Sequence, residues 1–163
     1  MFALAPPHVL EWALNELKGT KRINRVNQAA MGLGKGGHFD SLKSLCKESD
    51  VNMSSALTGA ASGGHLHILK FWKDLLTDGT LLQYTSDAAA KYGHLKTLKW
   101  LSKISTYFYE QTCDSAAKGG KIAILKWLNK EFGISEDSWC FASEYAAFGG
   151  HFELLKWIEK KVL

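Results

Sequence analysis

Arginine is nearly absent from this 163-residue chain, since only Arg22 and Arg25 occur and lysine carries the remaining positive charge. Planar, two-pronged recognition of phosphates and base edges depends on arginine, so its scarcity disfavours a sequence-specific reader of nucleic acids. Proline is equally scarce, and Pro6 and Pro7 both stand near the start. Helices can therefore occupy everything that follows. The net charge of +4 is too mild to require or exclude an acidic partner.

Long apolar runs are also missing. No stretch approaches the roughly 20 apolar residues of a membrane span, so we expect no membrane association. The segment Met1 to Pro7 lacks both a basic region and an adequate apolar run, which predicts that the chain is not secreted. The three cysteines, Cys46, Cys113 and Cys140, are odd in number and have no CxxC spacing. This usage indicates reduced, mostly packed thiols in a cytoplasmic protein.

What the sequence does contain is one phrase that recurs five times. Its form is Ala-Ala-x-x-Gly-His, with a looser first copy and with Lys121 in place of the histidine in the fourth. The last glycines stand 27, 29, 27 and 30 residues apart, a spacing too regular for chance. They are Gly37, Gly64, Gly93, Gly120 and Gly150. The spacing predicts a single repeat domain over 1–163, with an N-terminal cap at 1–21 and repeats at about 22–49, 50–78, 79–106, 107–134 and 135–163.

Each repeat is expected to form two helices. The first is rich in alanine, and glycine ends it by supplying a left-handed conformation. A second phrase, Leu-Lys-aromatic-Leu, then continues an apolar stripe at helical period. We expect the Thr/Ser/Asp stretches at 85–87 and 112–114 to open first helices. The expected helices are 8–18 as a cap, then 23–34, 38–48, 54–62, 65–76, 85–91, 94–103, 112–118, 121–131, 139–147 and 151–161.

This pattern resembles the ankyrin repeat, whose helix pair carries an A-A-x-x-G-H phrase before an apolar second helix. The resemblance covers about residues 22–163 and implies an all-α, ankyrin-like helix–turn–helix solenoid of about five repeats plus an N-terminal capping helix. Two features depart from the family. Its T-P-L-H opening is absent, and the period is about 28 rather than 33 residues, so projecting fingers should be short or absent. Such short units are most similar to ankyrin proteins of large DNA viruses of amoebae and of some protists, which implies host cytoplasm or a virion.

The six histidines invite a metal or catalytic interpretation, which their spacing disfavours. Four of them, His38, His65, His94 and His151, recur once per repeat, where the ankyrin family uses the imidazole to tie the turn between helices. Rings one repeat apart cannot share an ion at the ~2 Å of zinc ligation. The chain also lacks a G-x-S-x-G motif and a complete phosphate-binding loop. We therefore expect a non-enzymatic protein with no catalytic residues, no cofactor and no metal.

Lysine recurs at fixed positions of the second helix. It stands five residues after the histidine position in all five repeats, and nine residues after it in all but one. Residues four apart share a helix face, so stacked repeats should align a convex lysine ladder. Two interpretations stay open, solubilising side chains whose stems cover aromatic rings, or non-specific, salt-dependent binding of a polyanion. The candidate polyanion-binding residues are Lys43, Lys70, Lys99, Lys126, Lys156, Lys103, Lys130 and Lys160.

Acidic residues gather instead in the loops and first helices. The opposite, concave and loop face should therefore be acidic, and exposed aromatic residues there would make binding hot spots. We expect an unidentified protein partner, basic or partly apolar, on that face. The candidate partner-binding residues are Tyr107, Phe132, Asp87, Asp114 and Glu144. The alternative is a structural or virion protein that binds nucleic acid through the ladder, and a homodimer through the C-terminal end near Trp157 is a further expectation.

Overall fold

The computed structural model describes residues 20–104 and 109–162. Within these ranges the chain forms ten α-helices and one 3₁₀ helix, and no residue is in a strand, so the all-α prediction is confirmed. The chain divides into two compact units, Met1–Asp74 and Leu75–Leu163. No described helix is both long enough and apolar enough to cross a membrane. The predicted capping helix at 8–18 lies outside the described residues.

The helices follow one another in pairs, each with a first and a second helix joined by a glycine turn. The first helices are α1 (Thr20–Gly36), α3 (Met53–Ser62), α5 (Gly79–Tyr92), α7 (Tyr109–Lys118) and α9 (Glu136–Phe148). The second helices are α2 (Phe39–Glu48), α4 (Leu66–Phe71), α6 (Leu95–Leu101), α8 (Ile122–Phe132) and α10 (Phe152–Val162). A 3₁₀ helix, Lys73–Thr77, follows α4.

The turn inside each pair has one geometry. At the second pair, Gly64 has a φ of 73°, its N–H donates to Ala61 O at 3.1 Å, and the His65 N–H donates to Ala60 O at 2.9 Å. These bonds satisfy carbonyls that the end of a helix leaves without partners. The other four turns have the same two bonds and a positive φ at glycine, which confirms the predicted left-handed helix ends.

In the first unit, small residues let the backbones of α1 and α3 approach closely. A Cβ atom on Gly59 would overlap the carbonyl oxygen of Met31, and one on Gly34 would overlap that of Ala56. Glycine is therefore required at this crossing because any side chain would separate the two helices. The packing also uses Asn27, whose side-chain oxygen accepts the N–H of Asn52 at 2.8 Å.

In the second unit, α5 packs against α7, and α7 packs against α9. A Cβ atom on Gly119 would overlap the carbonyl oxygen of Lys91, so this approach is as close as the one between α1 and α3. The second helices add fully buried leucines, including Leu98 and Leu125. Alanine at the crossings and leucine behind them thus form the core of this unit.

All five first helices begin earlier than the sequence predicted, and α5 differs the most. The Asp78 side chain accepts the N–H of Leu81 at 2.8 Å, so it caps α5, which begins at Gly79 rather than at 85. Thr85 is consequently buried inside the helix, where its hydroxyl donates to Leu81 O at 2.7 Å. Thr112 is likewise inside α7, which begins at Tyr109. The polar triplets therefore do not open these helices, and the earlier start of α5 places Leu82 inside that helix, where it is buried.

Two second helices end earlier than predicted. Helix α4 ends at Phe71, and the chain tightens into the 3₁₀ helix Lys73–Thr77, where a continuous helix to 76 was expected. This tighter winding accompanies complete burial of Leu76. Helix α6 ends at Leu101, and turn residues occupy 102–104. Lysine at position 103 therefore follows α6 instead of lying on it.

Candidate partner-binding surfaces

The exposed side of the first helices in the second unit carries large rings. Tyr84 on α5 and Phe141 on α9 stand ten residues before the histidine position of their pairs, and they are 55% and 54% exposed. Phe148, seven residues after Phe141 and so on the same side of α9, is 93% exposed. We call this surface the first-helix face, with Tyr84, Phe141 and Phe148 as its rings. Exposed rings of this size commonly mark binding surfaces.

The predicted carboxylates lie on the same first helices, three residues after the ring position, which Gln111 occupies in α7. Glu144 is exposed, whereas Asp87 and Asp114 are half-buried. The Asp87 carboxylate accepts the side-chain amide of Gln83 at 2.9 Å and the hydroxyl of Thr112 at 3.3 Å, so it links α5 to α7. Burial raises the pKa of Asp87, and these hydrogen bonds oppose the rise. Asp87 therefore has a structural role, and Glu144 is the carboxylate most accessible to a partner.

Lysine gives the first-helix face a mixed charge where a uniformly acidic one was expected. Lys91 and Lys118 follow Asp87 and Asp114 by four residues, and both are exposed. The Lys118 ammonium lies 3.8 Å from the ring centroid of Tyr145 on the next first helix, a close cation–π contact. This contact holds α7 to α9 at the edge of the face.

Only one of the two predicted loop aromatics, Phe132, lies among the described residues. Tyr107 lies outside them. Phe132 is the last residue of α8, is half-buried, and meets Trp127 edge-on with ring centroids 5.6 Å apart. Phe132 thus packs on its own helix and is less available than its loop position indicated.

The first lysine row (Lys43, Lys70, Lys99, Lys126 and Lys156) lies on the second helices, as predicted. Three of its ammonium groups lie over aromatic rings. Lys43 is 5.1 Å from the centroid of Phe71, and Lys126 is 5.6 Å from that of Trp157, each ring belonging to the next pair. Lys156 is 4.3 Å from the centroid of Phe152. The first two contacts support packing between pairs as one use of the row, whereas the third lies within α10.

The other predicted lysines extend from the surface. Lys70, Lys99, Lys130 and Lys160 are exposed on second helices, and Lys103 is exposed just beyond α6. Lys156 is within 3.6 Å of Glu153, and both side chains are more than half exposed, so this ion pair contributes little stability. The exposed lysines outside these ring contacts are the remaining candidates for holding a polyanion: Lys70, Lys99, Lys103, Lys130 and Lys160.

Two turn histidines link successive pairs. The Nε2 atom of His65 is 3.0 Å from the carbonyl oxygen of Lys35, and that of His151 is 2.9 Å from the carbonyl oxygen of Lys118. Each imidazole thus reaches the end of the preceding first helix, which is a longer-range contact than the tie within a turn implied by the family resemblance. Among the described residues, no group of three or more His, Cys, Asp or Glu side chains is arranged to hold a metal ion.

A groove lies between α9 and α10. Its volume is about 400 Å³, and its walls include Trp139, Cys140, Phe152, Leu155, Lys156 and Glu159. We call this surface the end face. Trp157, which the sequence placed near an open end, is half-buried and meets Trp139 edge-on at a centroid distance of 5.6 Å.

No family model and no curated protein matches the chain. The site must therefore be judged from its residues, and three of its rings escaped the sequence prediction: Tyr84, Phe141 and Phe148. Their positions carried a signal, because Tyr84 and Phe141 stand at the same place of their repeats, ten residues before the histidine position.

Proposed function

We propose that the chain is a non-enzymatic scaffold with an ankyrin-like solenoid architecture, and that it binds a protein partner on the first-helix face. The observation that carries this proposal is the exposure of Tyr84 and Phe141, at equivalent positions of two first helices, to more than half of their full extent. The uniform glycine turns, and the packing of first helix on first helix within each unit, support the solenoid.

The chemistry of the face favours a partner segment that is partly apolar and carries some positive charge. Tyr84 and Phe141 would act as anchors, because rigid rings lose little conformational freedom when they are covered. Glu144 beside Phe141 would pair with a lysine or arginine of the partner. Lys91 and Lys118 would then discriminate against segments that are uniformly basic.

Affinity capture with three baits tests this proposal. The wild-type chain is compared with the double variant Tyr84→Ser/Phe141→Ser, and with Phe71→Ser as a matched control whose ring is 51% exposed but lies on α4. A partner bound by the face should be retained by the wild type and the control, and its measured affinity for the double variant should fall about 100-fold. If every captured protein binds all three baits equally, the proposal fails.

The exposed lysines on and just after the second helices support a second candidate function, in which the chain binds a polyanion as a structural or virion protein. The exposure of Lys99 and Lys130 favours it, and the ring contacts of Lys43, Lys126 and Lys156 disfavour it. Salt-titrated binding to random duplex DNA decides between the two. Steep salt dependence that is lost in Lys99→Glu/Lys130→Glu would support the polyanion, and no affinity at low ionic strength would exclude it.

A further inference from the structure

Three positions of the helix pair are buried in α5–α6 and in α7–α8 but are partly or fully exposed in α9–α10. They stand eight and four residues before the histidine position and four residues after it. In α9–α10 these residues are Ser143, Ala147 and Leu155, of which Ala147 is exposed and the other two are half-buried. Their equivalents in the two preceding pairs are all buried: Ser86, Ala90, Leu98, Cys113, Ala117 and Leu125.

The glycine turns show what covers these positions. A Cβ atom on Gly120 would collide with the ring of His151, which reaches across from the next pair. A Cβ atom on Gly150 would meet nothing within 4 Å. Thus α9–α10 covers the preceding pair, while its own equivalent surface, the end face, stays uncovered among the described residues.

The groove of the end face is self-complementary. Apolar walls from Trp139, Phe152 and Leu155 surround it, and two opposite charges, Lys156 and Glu159, stand one helical turn apart on its rim. If two α10 helices lie antiparallel about a two-fold axis, each Lys156 faces the Glu159 of the other copy. A partner surface with charges of only one sign would place a like charge opposite either Lys156 or Glu159.

We propose that the end face binds the end face of a second copy of this chain and forms a two-fold symmetric dimer. The dimer buries Ala147 and Leu155, just as the internal junctions bury their equivalents, and it also covers Phe152. It is independent of the partner bound by the first-helix face. It also gives Lys156 an opposite charge in addition to Glu153 of its own helix.

The first test measures mass in solution. Sedimentation should give twice the chain mass of 18.1 kDa for the wild type at high concentration. Ala147→Glu and Phe152→Asp should shift the chain to monomer, because each places a charge in the contact. Ala123→Glu, at an alanine on α8 that is also exposed, should dimerise like the wild type. A wild type that stays monomeric, or a dimer that persists in both end-face variants, overturns the proposal.

A charge exchange tests the two-fold arrangement itself. Lys156→Glu and Glu159→Lys should each weaken the dimer about tenfold, since each brings like charges together twice. A mixture of the two variants restores opposite charges at both contacts and should therefore form a heterodimer of wild-type strength. If mixing restores nothing, the two-fold arrangement is wrong.

Cysteine labelling supplies a third measurement. Cys140 lines the groove and is exposed, whereas burial raises the pKa of Cys46 and raises that of Cys113 to about 12. A thiol reagent should therefore react first at Cys140. Dimerisation should slow that reaction as the wild-type concentration rises, with no such slowing in Ala147→Glu. The variant Tyr84→Ser/Phe141→Ser should dimerise normally, so a failed partner capture and a failed dimer remain distinguishable.

Discussion

Two junctions between helix pairs of the second unit have the same backbone turn but different side chains at the histidine position. Where α9–α10 meets α7–α8, His151 reaches the carbonyl oxygen of Lys118. Where α7–α8 meets α5–α6, Lys121 occupies the histidine position, and its alkyl chain lies against Gly93. The backbone is nevertheless alike, since Lys121 and His151 donate their N–H groups to Ala116 O and Ala146 O at 2.9 and 2.8 Å. Glycine thus sets the turn, and the imidazole adds a link between pairs.

The largest effect on stability should come from Gly119, at the junction where α7 approaches α5. Gly119→Ala places a methyl group on the carbonyl oxygen of Lys91 and should destabilise the chain by about 3 kcal/mol. Gly79→Ala is the matched control, because its Cβ would meet nothing within 4 Å, and it should be neutral or stabilising. Urea unfolding measures both variants. Equal effects would show that backbone approach does not limit the packing.

The next largest effect on stability compares a buried leucine at a junction between pairs with the equivalent leucine of the end face. Leu125→Ala removes a fully buried side chain and should cost about 3 kcal/mol. Leu155→Ala, at the equivalent half-buried position, should cost about 1 kcal/mol when both are measured in the Ala147→Glu background. Thermal unfolding at several concentrations gives the comparison. A similar cost at both positions would mean that the end face is already covered.

Exchanging the two residues at the histidine position should give a smaller effect. His151→Lys removes the bond to Lys118 O and should cost about 1 kcal/mol. Lys121→His should raise the free energy of unfolding by about the same amount. The backbone of this turn matches that of the His151 turn, so the new imidazole should reach Lys91 O. Chemical denaturation of the two single variants and their double tests this. Additive effects are expected, since the junctions are separate, and strong coupling would contradict two independent links.

The smallest effect concerns the pH dependence of Asp87. Its folded pKa lies above the ordinary value of 3.8, so the folded chain holds a proton that the unfolded chain releases in that window. Stability from this group is complete below 3.8 and is lost as the pH rises through the raised pKa. Asp87→Asn should keep the contact with Thr112 and abolish this loss. Unfolding free energies of both proteins across the acid range should therefore diverge as pH increases, and parallel curves would contradict the shift.

The sequence predicted the features that depend on local backbone chemistry. Regular glycine spacing located all five turns, and alanine and leucine periods located ten helices, because left-handed glycine and apolar stripes are local signals. Helix starts were harder to predict. Asp78 caps α5, although its position was predicted to lie in a loop well before that helix. Thr85 is a residue type that commonly caps helices, but it is buried inside α5.

The candidate site could be predicted only in part. The carboxylates were located on first helices, but their accessibility depends on neighbouring helices, as the Thr112 contact of Asp87 shows. Equivalent aromatic positions also differ in burial. Trp157 is half-buried while its counterpart Phe71 is 51% exposed, although both belong to the same Leu-Lys-aromatic phrase. Such differences arise from long-range packing, which a single repeat does not encode.

The constant glycine turn has a consequence for how the chain tolerates changes in length. Because every turn keeps the same pair of hydrogen bonds while the repeats step by 27 to 30 residues, extra residues are absorbed between pairs. The exposed segments around Asp78 and Ser135 are two such connections. An epitope or a fluorescent reporter inserted before Asp78 or before Ser135 would leave these caps on the following helices and would lengthen the chain without altering any helix pair.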